Sequence, residues 1–147
     1  MQKILIGTNN KGKIKEYEIL FKDIFNPVPL SYLEIDLDVN ENGLSYEENA
    51  LIKLKYLKNK SPFPVITDDS GLEVSSLNNE PGIFSARYSG RNSSDEKNIS
   101  KLLKKIRDQR TLSNTIETDR VVMIDRTARF VCSIAYFNSG NPAEIIT

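Results

Sequence analysis

A chain of 147 residues is long enough to bury a core without disulfide or metal staples, and its single cysteine, Cys132, excludes an internal disulfide and a cysteine-based zinc cage. Twenty Lys and Arg balance twenty Asp and Glu, so the basic excess of a general nucleic-acid binder is missing. Histidine is absent, which removes a Ser-His triad, a His general base and any His-ligated metal.

The opening MQKILIG has one Lys and too short an apolar run for a signal peptide, and no apolar stretch approaches bilayer length. The expectation is a cytoplasmic, single-domain protein over 1–147 that engages neither membrane nor nucleic acid. KILIG predicts a short buried strand. From Lys13, the residues Ile14, Tyr17, Phe21, Ile24 and Phe25 recur at helical spacing until Pro27 stops the run. Residues 28–39 alternate loosely and predict extended chain, and NENG predicts a turn. Ser45 and Glu48 have capping-box spacing, and Ala50, Leu51, Leu54 and Leu57 give the helix that follows an apolar face. VIT, 65–67, predicts a brief strand ending in DDSG, with LEV as another. Ser93 and Glu96 form a further capping box, ahead of a third helix marked by Ile99, Leu102, Leu103 and Ile106. Residues 108–125 read as a polar loop around a VVMI island. ARFVCSIAYF, 128–137, is the strongest strand signal, NSGNP a turn, and AEIIT the start of a partner strand. Intermixed strands and helices predict an α/β or α+β class.

Three stretches can carry chemistry. TNNKGKIKE sits where a strand gives way to a helix, and a helix N-terminus offers free N–H groups and a dipole that favour an anion. Thr8 adds a hydroxyl, Asn9 and Asn10 add amides, Lys11 and Lys13 add charge, and Gly12 permits close backbone approach. An ordinary solvated turn reads the same way, and no Walker loop is present. In TDDSG, Asp68 and Asp69 suit a hard cation such as Mg²⁺, which binds through one or two carboxylates plus substrate phosphates. Asp-Ser-Gly is equally a plain turn sequence. Glu41 and Lys53 say little singly. Together with the other groups they suit metal-assisted phosphoryl chemistry.

Several motifs then coincide. TNNKGKIKE, SYEENALIKLK, PVITDDSGLEV, EPGIFSARYSG, the helix around NISKLL, and RTARFVCSIAYF stand in the order and near the spacing of one family. The chain resembles the inosine triphosphate pyrophosphatases, or XTP/dITP diphosphatases, over essentially its whole length. The combination of DDSGL with PGxxSARY is the specific part. The resemblance implies an elongated, two-lobed α/β fold with a central mixed sheet and a cleft. It implies Mg²⁺-dependent hydrolysis of deaminated purine nucleoside triphosphates (ITP, dITP, XTP) to monophosphate and pyrophosphate, by a homodimer. Carried over by position, Thr8, Asn9, Asn10, Lys11, Gly12 and Lys13 form the triphosphate loop, and Lys53 and Ser70 contact substrate. Asp69 is the catalytic acid residue, acting as general base and metal contact. Glu41 joins Asp68 and Asp69 as the metal carboxylates, with Asp36 and Asp38 as rivals to Glu41.

The resemblance also implies two later base-contacting segments, Phe-Gly-Tyr-Asp-Pro and Ser-His-Arg, which do not occur in this sequence. The expectation is a C-terminally truncated domain with impaired base selectivity and catalysis. A non-catalytic remnant that binds phosphate or pairs with another subunit is the alternative. A pyrophosphatase of related fold acting on dTTP is a third reading, which DDSGL and SARY disfavour.

Overall fold

The computed structural model describes residues 1–114, 126–138 and 144–147. Among the described residues, six strands form one mixed sheet in the order β2-β1-β3-β5-β6, with β4 paired to β3. They are β1 (Lys3–Ile6), β2 (Asn26–Pro29), β3 (Val65–Val74), β4 (Glu80–Pro81), β5 (Ala128–Phe137) and β6 (Glu144–Ile146). The α-helices among the described residues are α1 (Lys11–Phe21), α2 (Tyr46–Leu57) and α3 (Asp95–Asn114). The chain divides into two compact units, 1–69 with 132–147, and 70–131.

The first unit is built on parallel pairing of β1 with β2 and of β1 with β3, the latter in the register Leu5↔Val65 and Ile6↔Ile66. Both faces of such a sheet must be covered, and alternate side chains sort onto them. Leu5 and Val65 pack with Ala50, Leu54 and Leu57 of α2 in one cluster. Ile4, Ile6 and Ile66 pack with Tyr17 of α1 in the other. Gly7 is required by space: a Cβ there would lie 2.5 Å from Thr67 Cγ2 and 2.6 Å from Leu57 Cδ1. β6 closes the unit by antiparallel pairing with β5, Ile134 opposite Ile146.

In the second unit the SARY segment works as a local brace. Ser85 Oγ accepts from Leu72 N at 2.9 Å and donates to Gly82 O at 2.6 Å. Tyr88 donates its hydroxyl to Glu80 at 2.7 Å. Glu73 holds Arg129, with Nε donating at 2.9 Å.

Several boundaries differ from the sequence reading. α1 begins at Lys11, because Asn10 is its N-cap, and it ends at Phe21, well before Pro27. Pro27 instead lies in β2, an edge strand, where the missing N–H is tolerated. Of the stretch 28–39 only the first two residues are strand; Leu30–Leu33 form a 3₁₀ turn that Glu34 ends in a left-handed conformation. TDDSG is no turn: β3 runs through it from Val65 to Val74. The box at α2 holds in a shifted form: Ser45 Oγ accepts from Glu48 N at 3.2 Å, while Glu48 reaches back to Leu44 N at 2.7 Å rather than to Ser45. At α3, Ser93 donates to Asn98 Oδ1 at 2.7 Å instead of capping, and the helix continues to Asn114, through what read as loop from 108. The remainder of that loop, 115–125, and the turn residues 139–142 lie outside the described residues. Among the described residues no helix is long and apolar enough to cross a membrane.

Candidate active site

The parallel overlap of β1 with β3 ends at Ile66, so the next residues of β3 stand at the carboxyl end of β1. That is where open α/β sheets place their ligands. Asp68 and Asp69 are 2% and 9% exposed. Buried carboxylates need partners, since an unpaired buried charge is costly. Successive strand residues point to opposite faces, so the two acids find different ones.

Asp68 faces α1. It forms an ion pair with Lys13, whose side chain is 22% exposed. Its other oxygen, Oδ1, is buried without a hydrogen-bond partner among the described residues. Tyr17, one turn further along α1, has its phenol pushed upward in pKa by burial and then by the Asp68 charge. Cys132 is exposed, yet partial desolvation by its neighbours, with the Asp68 charge adding to it, raises its thiol pKa.

Asp69 faces α2. Asn49, fully buried, donates its Nδ2 to Asp69 Oδ2 at 2.9 Å and accepts at Oδ1 from Gly43 N at 2.8 Å. One turn on, buried Lys53 forms an ion pair with half-buried Glu41 at 3.4 Å. The loop that carries Glu41 is thereby held on the same helix as the group that holds Asp69. Asp36 and Asp38, the rivals to Glu41, are exposed, and the backbone of Asp36 takes the Tyr56 hydroxyl at 2.9 Å.

The loop after β1 satisfies much of itself. Asn10 Oδ1 accepts from Gly12 N and Lys13 N at 2.8 and 3.2 Å, and Thr8 Oγ1 accepts from Asn10 N at 3.1 Å. Two first-turn donors are therefore already engaged. Thr8 is buried, and its hydroxyl hydrogen stays free of that bond. Asn9, Asn10, Lys11 and Gly12 are exposed. Ser70 follows Asp69 on β3, half-buried, and belongs to the second unit.

Of the expected metal carboxylates, Glu41 and Asp69 share the α2 side, while Asp68 does not join them. Among the described residues no group of three or more His, Cys, Asp or Glu side chains is placed to hold a metal ion. Two oxygen donors of this kind still fit Mg²⁺, which takes one or two protein carboxylates and fills the rest with water and phosphate oxygens. Sequence reasoning missed Asn49 and Gly43. The signal was a polar pair, Asn49 and Lys53, four residues apart and interleaved with the apolar positions Ala50, Leu54 and Leu57.

Asp68 and Asp69 thus stand at the carboxyl end of β1 in an α/β fold, beside a strand-to-helix turn, with Lys13 and Lys53 on the two flanking helices. A sequence model of the Ham1 family matches residues 4–147. The chain belongs to the Ham1 family. It is 46% identical over 135 residues to a dITP/XTP pyrophosphatase of Staphylococcus aureus, an alignment covering 92% of this chain and 62% of the relative. The chain thus spans less than two thirds of the length of such curated relatives. The solved Staphylococcus aureus Ham1 protein superposes with a TM-score of 0.74 at 42% identity, over 98% of this chain and 67% of that one. A Coxiella burnetii HAM1 protein gives 0.75 at 31% identity, over 99% and 68%.

Proposed function

We propose that this chain carries the hydrolytic site of a nucleoside triphosphate pyrophosphatase acting on deaminated purine nucleotides such as ITP, dITP and XTP. The carrying observation is Asp69, a buried carboxylate held by Asn49 on the same helix that presents Lys53 against Glu41. The name of the Staphylococcus aureus relative supports the substrate class. Water attacks the α-phosphorus and passes its proton to Asp69, and the bond to the β-phosphate oxygen breaks to release pyrophosphate. Lys53, Lys13 and Lys11 bind the polyphosphate, Thr8 donates its hydroxyl, and the amides of Asn9 and Asn10 orient the tail, with Gly12 leaving room for it. Ser70 is a further substrate contact. Glu41 and Asp69 would hold a Mg²⁺ ion, which neutralises phosphate charge and polarises the reacting phosphoryl group. Asp68 serves chiefly to fix Lys13. We place the active form in the cytoplasm as a homodimer.

The test is product identity. With Mg²⁺ present, ITP is expected to yield IMP and pyrophosphate in equal amounts. Release of inorganic phosphate and IDP would instead place attack at the γ-phosphorus and overturn the reading.

The role of Lys13 gives a second expected result. Lys13→Ala should weaken ITP binding by about ten- to a hundredfold, the worth of a charge-assisted contact, and change inosine binding little. Titration calorimetry with both ligands checks it; equal losses for ITP and inosine would remove Lys13 from the phosphate site. The melting temperature should fall as well, because Asp68 is left buried without its cation.

A further inference from the structure

We propose that Asn49 is the positioning residue of this site: its single amide fixes the Asp69 carboxylate and at the same time anchors the loop that brings Glu41 to Lys53. This inference rests on the reading of Asp69 as the carboxylate that meets the reacting water.

Asn49 has no exposed surface, although Asn inside a helix is normally placed in solvent or at a cap. Burying an amide is unfavourable unless both of its ends are satisfied. Here both are, and by groups from two different segments. The Nδ2 end donates to Asp69 Oδ2 at 2.9 Å, twenty residues away on β3. The Oδ1 end accepts from Gly43 N at 2.8 Å. The loop has been brought in close to make that second bond. A Cβ on Gly43 would sit 2.7 Å from Asn49 Oδ1 and 2.7 Å from Glu48 Cβ. Gly43 is therefore there for space, and Leu44 N adds a second tie to the helix through Glu48 at 2.7 Å. Glu41, two residues before Gly43, is delivered by this docked loop to Lys53, one turn beyond Asn49. Glu41 and Asp69 reach the site from separate segments, yet one side chain sets the position of both. An amide does this without adding charge, whereas a carboxylate at position 49 would repel Asp69.

The two ends separate experimentally. Asn49→Asp keeps an acceptor for Gly43 N, removes the donor to Asp69 and sets a second, repelling carboxylate against it. Asn49→Leu removes both. With Mg²⁺ and ITP, Asn49→Asp is expected to lose about ten- to a hundredfold in kcat with KM changed less, as for a lost hydrogen bond to a charged group. The Gly43 amide should stay slow in hydrogen exchange in Asn49→Asp and become fast in Asn49→Leu. An Asn49→Asp protein with wild-type kcat would reduce Asn49 to a loop anchor and overturn the proposal. Should Asn49→Asp not fold, the Asn49 side-chain amide resonance decides in the otherwise wild-type protein. It should move upfield in Asp69→Ala if Asp69 is its acceptor, and an unmoved resonance overturns the proposal. Failure of the underlying reading looks different: Asp69→Asn would then hydrolyse ITP normally, whatever the Asn49 variants do.

Discussion

Asp69→Asn should reduce ITP hydrolysis by about 10²- to 10⁴-fold, the range for loss of a positioned general base, with the fold retained. The retention follows from the surroundings. The new amide has the same volume, and its oxygen can still accept from Asn49 Nδ2, which now stands 2.9 Å from Asp69 Oδ2. What the amide cannot do is take a proton from water or give a metal a full negative charge. The loss should therefore fall on kcat, while binding of ITP through the lysines persists. Steady-state kinetics beside a melting curve check both halves. Near-wild-type turnover by a folded Asp69→Asn protein would remove Asp69 from the chemistry.

The second large effect is on stability. Leu54 is 1% exposed and sits in the cluster of Leu5, Val28, Leu30, Ala50, Leu57, Val65 and Ala135. Leu54→Ala removes buried methyl groups and leaves a cavity that the sheet beneath can only partly close. A loss of about 2–5 kcal/mol is expected. For a chain of this size that corresponds to a fall in melting temperature of roughly 4–20 °C. In urea the midpoint should drop while the slope stays the same, since the surface exposed on unfolding hardly changes. Leu54 lies one residue from Lys53 but points into the core, so hydrolysis well below the transition should survive. A loss under about 1 kcal/mol would mean that α2 does not pack on the sheet as described.

Local signals carried much of this fold. The apolar run of β1, the Ser45 cap of α2 and the ten-residue strand β5 are each written within a dozen neighbouring residues, and each was legible. The pairings were not. Lys13 and Asp68 are 55 positions apart, and nothing local says that they meet. TDDSG misled for a physical reason. Asp, Ser and Gly favour turns because their side chains or lack of one suit tight backbone. Here β1 and β4 pair with β3 on either side of that stretch, and tertiary context overrides the local preference. The site residues were named largely through the family resemblance. What neither resemblance nor spacing gave was their division: Lys13 with Asp68 toward α1, and Asp69, Asn49, Lys53 and Glu41 toward α2. That division depends on strand alternation, which is visible only once DDSG is known to be strand.

Neighbouring carboxylates on opposite faces make the site sensitive to the parity of chain length. One residue inserted between Ile66 and Asp68 would turn Asp68 toward α2 and Asp69 toward α1, exchanging a carboxylate set by an amide for one set by a lysine. Two inserted residues would restore the sides while moving both acids outward along the strand by about two residue rises, some 6–7 Å. Substitution is thus the gentler route of change within Val65–Asp69, and length variation is not. The connection at 58–63 is under no such rule, because Leu5 N on Pro64 O at 2.8 Å and Gly7 N on Ile66 O at 2.7 Å set the strand's phase after it. Insertions and deletions across related genes should therefore gather in that connection and be missing from the six residues that follow it.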